Sequence, residues 1–91
     1  MKNYLYVLGT DDGYVKIGIT NDPNINNRVR NLQVGNPKKI EVLFFEERLA
    51  AEKAEKYLHR EFWKYRKKGE WFHGITLRQI RSKLMMFHDQ I

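Results

Sequence analysis

The chain has 91 residues, no cysteine, and a formal net charge of +6, from 17 lysines and arginines against 11 aspartates and glutamates. This length predicts one domain over residues 1–91, and the lack of cysteine excludes disulfides, cysteine-based zinc sites and thiol catalysis. No apolar run has the length of a membrane span and the N-terminus lacks a signal-peptide pattern, so we expect a cytoplasmic protein with no membrane association. The basic charge favours an anionic partner, most simply nucleic acid.

The first predicted element is a β-hairpin. Residues 3–9 and 14–19 are alternating, β-rich segments, and they flank the turn signal Asp12-Gly13. Residues two apart in a strand share a face, so one face of the hairpin is predicted to be apolar. The other face is predicted to carry Tyr4, Tyr6, Tyr14, Lys16 and Gly18. Phenols and an ammonium group on one surface are suited to an anionic ligand.

Two helices and a third strand are predicted to follow the hairpin. The first helix begins at residues 21–23, where an Asx cap precedes a proline, and it ends at the glycine and proline of residues 35–37. Residues 40–45 are rich in β-branched and aromatic side chains and predict a strand. Apolar residues at helical spacing predict a second helix over residues 49–65, with a buried stripe that ends at Tyr65.

The last third of the chain completes the predicted fold. Residues 64–69 are expected to form a basic loop, residues 70–72 a short apolar anchor, and Thr76 is expected to cap a final helix. The predicted fold class is therefore α+β. It consists of a small three-stranded antiparallel sheet with flanking helices, in the order β-β-α-β-α-α.

Positive charge and aromatic rings are interleaved in the second half of the chain. This mixture is suited to pairing with phosphates and stacking on bases, although the charge could also serve only to keep a small domain soluble. The predicted nucleic-acid-binding residues are Arg30, Lys56, Arg60, Lys64, Arg66, Lys67 and Lys68.

Two charged residues border the predicted apolar stripes of their helices. Glu55 lies three residues before Leu58, so its carboxylate needs a partner, a metal or water. It is either a boundary glutamate paired with a lysine or His59, or the single carboxylate ligand of an Mg²⁺ ion. Arg28 is either a solvated helix arginine or a group that binds a phosphate.

Several short motifs follow one another in a characteristic order. They are Tyr6-Val7-Leu8, Lys16-Ile17-Gly18-Ile19-Thr20, Arg28, Leu32, Glu55, Leu58-His59, Phe62 and Gly69-Glu70-Trp71-Phe72. Their order and spacing resemble the GIY-YIG endonuclease superfamily over about residues 3–73. The resemblance is closest to its phage-type branch, usually labelled a DNA-binding domain, which includes the meiotically up-regulated gene group.

This resemblance implies a DNA endonuclease that hydrolyses phosphodiesters with Mg²⁺ or Mn²⁺. The implied catalytic residues are Tyr6, Lys16, Arg28 and Glu55, with Tyr4 and His59 as second-rank helpers. Tyr6 would act as general base or orient the attacking water, and Lys16 would favour its phenolate. Arg28 would stabilise charge on the phosphate, and Glu55 would hold the metal.

Other functions remain open from the sequence. Leu32 stands four residues after Arg28, where the family often has histidine or tyrosine, so the alternative is a non-catalytic DNA-binding module on the same fold. A small phage-type protein-interaction factor is a third function. The sequence also leaves open a homodimer and a larger protein partner.

Overall fold

The structure is a computed structural model that describes residues 2–87. The strands are β1 (Tyr4–Gly9), β2 (Tyr14–Thr20), β3 (Glu41–Glu47), β4 (Arg66–Lys68) and β5 (Trp71–His73), and the helices are α1 (Ile25–Gln33), α2 (Ala51–Glu61) and α3 (Leu77–Met85). A turn of 3-10 helix, Trp63–Tyr65, follows α2. Within this part of the chain, no helix has the length and apolar character needed to cross a membrane.

The five strands form one antiparallel sheet in the order β3-β1-β2-β5-β4. The predicted hairpin is confirmed as β1 and β2, with Tyr6 opposite Gly18 and Leu8 opposite Lys16. Because cross-strand partners share a face, these four residues lie on the same side of the sheet. The candidate site is therefore built on the two strands at the centre of the sheet.

The prediction of a three-stranded sheet with the order β-β-α-β-α-α is wrong. Strands β4 and β5 extend the sheet to five strands, and the segment expected to be a basic loop and an anchor forms a hairpin. Each of these strands has three residues, too few for an alternating pattern, and β4 consists of cations that strands usually lack. The hairpin forms because β5 pairs with β2 and Gly69 adopts a φ of +57° at the turn.

Helices cover both faces of the sheet. Helices α2 and α3 pack on the face that carries the predicted apolar side chains, and together they form the larger core: Leu5, Val7, Val15, Ile17, Ala54, Leu58, Phe62, Phe72, Ile75, Ile80 and Leu84. Helix α1 packs on the opposite face, where Ile25, Val29 and Leu32 contact a smaller core of Tyr6, Leu8 and Ile40. Tyr6 is fully buried because α1 covers it.

Several predicted boundaries differ from the observed ones. Helix α1 begins after Asn24, whose side chain accepts a hydrogen bond from the Asn26 amide, so the cap lies one residue after the proline. Helix α2 ends at Glu61, and Tyr65, predicted to be buried, is 41% exposed. The predicted cap at Thr76 is confirmed as a capping box with Gln79.

The five-stranded sheet places Phe72 of strand β5 in the core, and this can be tested by mutation. Phe72→Ala should lower the free energy of unfolding by about 3–5 kcal/mol, because the ring is fully buried in the larger core. Lys67→Ala, on the exposed edge strand, should change it by less than about 0.5 kcal/mol. Urea unfolding measures both values. A cost of under about 1 kcal/mol for Phe72→Ala would show that this segment lies outside the core.

Candidate active site

The phenol of Tyr6 lies beneath helix α1 and contacts Arg28. The side chain of Tyr6 is fully buried, and its hydroxyl oxygen accepts a hydrogen bond from Arg28 Nε at 3.2 Å. Burial raises the pKa of Tyr6, whereas the hydrogen bond and charge of Arg28 act in the opposite direction. Tyr6 is therefore a protonated phenol at neutral pH. Arg28 itself is exposed, so its guanidinium faces solvent above the buried ring.

Gly18 provides the space that the Tyr6 ring occupies. A Cβ atom at position 18 would lie 2.5 Å from Tyr6 Cζ and Oη, and 2.8 Å from Glu70 Oε1. Real Cβ atoms do not approach other atoms so closely, so any side chain at position 18 would displace the phenol or the carboxylate. The glycine thus allows a phenol from β1 and a carboxylate from the start of β5 to lie over the β2 backbone.

Lys16 contacts a carboxylate and an indole ring. Its Nζ lies 3.1 Å from Glu70 Oε1 and 5.6 Å from the centroid of the Trp71 ring, and the lysine side chain is 10% exposed. The expectation that Lys16 favours the phenolate of Tyr6 is wrong in this structure. The cation that contacts the phenol is Arg28, and the pKa of Tyr6 is raised.

Glu55 reaches the site where strand β5 begins. Strand β5 pairs with β2 over Tyr14–Lys16, and the Ile17 amide then donates a hydrogen bond to the Glu70 carbonyl. Helix α2 passes next to this point, since His59 Nε2 lies 2.8 Å from the Ile17 carbonyl oxygen. Glu55 is one helical turn before His59 on the same side of α2, so its carboxyl group comes within hydrogen-bonding reach of the Glu70 carboxyl.

The Glu55 carboxyl group has an unusual electrostatic environment. Burial and, after it, the neighbouring Glu70 carboxyl together raise the pKa of Glu55 from 4.5 to about 7, while the charge of Lys16 opposes the shift. Glu55 Oε2 is buried and has no hydrogen-bond partner among the described residues. A buried carboxylate oxygen without a partner, next to a second carboxyl group, can be satisfied by a divalent cation.

The four residues predicted to be catalytic come together around Glu70, which was not predicted to be part of the site. Glu70 contacts Lys16 directly, lies beside Glu55, and shares the space above Gly18 with the Tyr6 ring. Arg28 joins this group through the Tyr6 hydroxyl. The sequence interpretation missed Glu70 because it assigned residues 70–72 to a structural anchor. The available signal was a lone acidic residue between four cations and an aromatic pair.

The two helper candidates make mainly structural contacts. The ring of Tyr4 stacks on Phe45 with centroids 4.9 Å apart. The imidazole of His59 contacts the Ile17 carbonyl and the edge of the Phe72 ring, whose centroid lies 5.0 Å away. His59 thus fixes α2 against the end of the β2–β5 pairing, and this contact positions Glu55 beside Glu70.

The predicted nucleic-acid-binding residues are distributed over several surfaces. Arg30 donates to Asn27 on α1, Lys56 pairs with Glu52 on α2, Arg60 and Lys64 lie over the rings of Tyr57 and Trp63, and Arg66, Lys67 and Lys68 form the exposed edge strand β4. A row of cations on an edge strand prevents pairing with another sheet, and it also offers a line of charge to a phosphate backbone. Their contact with DNA stays a prediction.

The raised pKa of Glu55 predicts a specific pH dependence of stability. The folded state holds this proton more tightly than the unfolded state, whose pKa is near 4.5, so stability falls as the pH rises from about 4.5 to 7 and then levels off. Relative to Glu55→Gln, the metal-free protein should lose about 1–2 kcal/mol between pH 5 and pH 8, a value reduced for solvent screening.

Urea unfolding at the two pH values measures this difference. Glu52→Gln is the matched control, because Glu52 lies on the exposed side of the same helix, 3.2 Å from Lys56. The Glu52 charge contributes less to the raised pKa of Glu55 than burial and Glu70 do, so the effect of Glu52→Gln should change between the two pH values much less than that of Glu55→Gln. A Glu55→Gln difference that is constant, or that has the opposite sign, would contradict the described environment of Glu55.

Comparison with known proteins identifies the domain. No curated protein and no solved structure gives a significant match to the chain. The family model of the T5orf172 domain matches residues 3–87, a range that contains Tyr6, Arg28, Glu55 and Glu70. Since this match extends over most of the chain, the protein belongs to the T5orf172 domain family.

Proposed function

We propose that the chain is a DNA endonuclease domain of the GIY-YIG type that hydrolyses phosphodiesters with Mg²⁺ or Mn²⁺. The observation that carries this proposal is the buried Glu55 Oε2, which has no hydrogen-bond partner within residues 2–87 and lies beside the Glu70 carboxyl, close to the Tyr6–Arg28 pair. Membership of the family supports it, because the T5orf172 domain is found in phage-type and homing endonuclease-like proteins. The net charge of +6 favours DNA as the substrate.

The residues present fit a single divalent cation. Glu55 would hold the metal, and Glu70 is the second carboxylate within reach. Over residues 2–87, no group of three or more histidine, aspartate or glutamate residues could bind a metal, so water and phosphate oxygens would complete the ligand set, as is usual for Mg²⁺. When bound, the metal supplies Lewis-acid activation of the scissile phosphate.

The other side chains of the site have separate roles in binding the phosphate and in positioning its ligands. The exposed guanidinium of Arg28 binds phosphate oxygens and stabilises the charge that develops on them. Tyr6 is a positioning residue in this structure, because its buried hydroxyl accepts the 3.2 Å hydrogen bond from Arg28 and so fixes the guanidinium at the site. Lys16 is a positioning residue, because its ion pair fixes Glu70 over Gly18.

The proposal predicts separate effects of one mutation on cleavage and on binding. Glu55→Gln should lower Mg²⁺-dependent cleavage at least about 100-fold, because the amide removes the charge that holds the metal. DNA affinity in EDTA should change less than about twofold. In thermal melts at pH 8, Mg²⁺ should raise the melting temperature of the parent protein but not that of Glu55→Gln.

Glu52→Gln controls for the loss of a charge on the same helix. It should cleave DNA at the parent rate and keep the Mg²⁺-dependent rise in melting temperature, since the Glu52 carboxylate is exposed and paired with Lys56. Cleavage by Glu55→Gln at the parent rate would remove the metal role of Glu55 and with it the proposed site.

A non-catalytic DNA-binding module is the second candidate, and one observation favours it. Leu32 packs in the smaller core beneath α1, so the position four residues after Arg28 contributes no polar group to the site. Binding without cleavage in both Mg²⁺ and Mn²⁺ would support this function. In a plot of the logarithm of affinity against the logarithm of salt concentration, each phosphate contact on duplex DNA should then make the negative slope steeper by about 0.9. A homodimer and a larger protein partner stay predictions.

A further inference from the structure

A second concave surface lies on the same face of the sheet as the candidate active site. It has a volume of about 290 Å³, and its walls include two aromatic rings, Tyr14 and Trp71, and three lysines, Lys38, Lys67 and Lys68. We call it the Tyr14 pocket. This volume is near the lower end of the range for small-molecule sites, about 300–1,000 Å³. A pocket of this size can hold one nucleobase.

The Tyr14 pocket shares a wall with the candidate active site. Trp71 stands opposite Lys16 in the β2–β5 register, and its ring lies 5.6 Å from Lys16 Nζ, the atom that pairs with Glu70. Along β2, Tyr14 precedes Gly18 by four residues, which corresponds to about 13 Å of strand. A DNA strand with its phosphate at the active site would therefore place a nearby nucleotide at this pocket.

The chemistry of the walls fits a base and its phosphate. Tyr14 is 37% exposed, and His73 supports its ring at a centroid distance of 4.5 Å. Among the lining residues that the structure describes, three lysines and one aspartate, Asp12, are charged, so the wall is net positive. The Thr10 hydroxyl donates a hydrogen bond to the Asp12 carboxylate and holds it at the rim. Rings bind the faces of bases, and lysines bind phosphates.

We propose that the Tyr14 pocket binds one unpaired nucleotide of the DNA substrate, with its base on the Tyr14 and Trp71 rings and its phosphate on the lysines of β4. A base within a duplex is stacked on both faces and cannot reach a protein ring unless it leaves the stack. The substrate class is therefore DNA with a single-stranded or unpaired nucleotide beside the scissile phosphate. This inference rests on the proposed function for cleavage and adds the selection of the substrate.

Binding in EDTA to three probes tests the pocket without any cleavage. The probes share one sequence and are a single strand, a perfect duplex, and a duplex with one unpaired adenine. Tyr14→Ala should weaken binding to the single strand and to the duplex with the unpaired base about tenfold, and to the perfect duplex less than about twofold. Tyr14→Phe should bind all three probes as the parent protein does, because the ring is kept.

Two further variants keep the test decisive. Tyr65→Ala removes a tyrosine of similar exposure, 41%, outside the pocket and should leave the preference for unpaired probes unchanged. If Tyr14→Ala does not fold, the double variant Lys67→Ala, Lys68→Ala on the exposed edge strand replaces it. Each lost phosphate contact should reduce the salt slope on single strands by about 0.7.

The outcomes separate this inference from the proposed function. If Tyr14→Ala loses the same affinity for all three probes, or loses none, the proposed role of the pocket is wrong. Metal-dependent cleavage is then still tested independently by Glu55→Gln. Glu55→Gln should retain the parent preference for unpaired probes, because Glu55 is not part of the pocket. A parent protein that prefers unpaired probes but does not cleave them would keep the pocket and remove the catalytic proposal.

Discussion

The contact between the carboxyl groups of Glu55 and Glu70 is the constraint on which the site depends. Two like charges in a partly buried position are unfavourable unless a proton, a cation or a positively charged side chain compensates them. Lys16 compensates Glu70, whereas Glu55 Oε2 has no partner among the described residues. A proton or a divalent cation can resolve this conflict, and burial together with the Glu70 carboxyl raises the pKa of Glu55 to about 7.

The fold creates this contact at the position where strand β5 begins. Its pairing with β2 begins beside Lys16, and His59 binds the backbone at the next residue, Ile17. Helix α2 packs on one face of the sheet, yet the Glu55 carboxyl contacts the Glu70 carboxyl, which lies over Gly18 on the opposite face. On that other face Gly18 leaves room for the Tyr6 ring. Residues from both faces of the sheet thus meet at one place.

The sequence predicted the local elements well and the long-range contacts less well. Alternation in the first hairpin correctly assigned Tyr6 and Lys16 to one face, because that pattern depends on neighbouring residues alone. The β4–β5 hairpin was missed because it is stabilised by pairing with β2 rather than by its own residues. Glu70, the ion-pair partner of Lys16, was missed for the same reason, since its position depends on where β5 begins.

The ionisation of Glu55 is the property that distinguishes a metal-binding carboxylate at this site from an ordinary surface glutamate. Carbon-13 NMR of the side-chain carboxyl carbon, followed through a pH titration with and without Mg²⁺, measures it for this residue alone. The midpoint should lie near 7 in the absence of metal and clearly lower when Mg²⁺ is present, because the cation favours the ionised form. A midpoint near 4.5 that Mg²⁺ does not change would contradict this expectation.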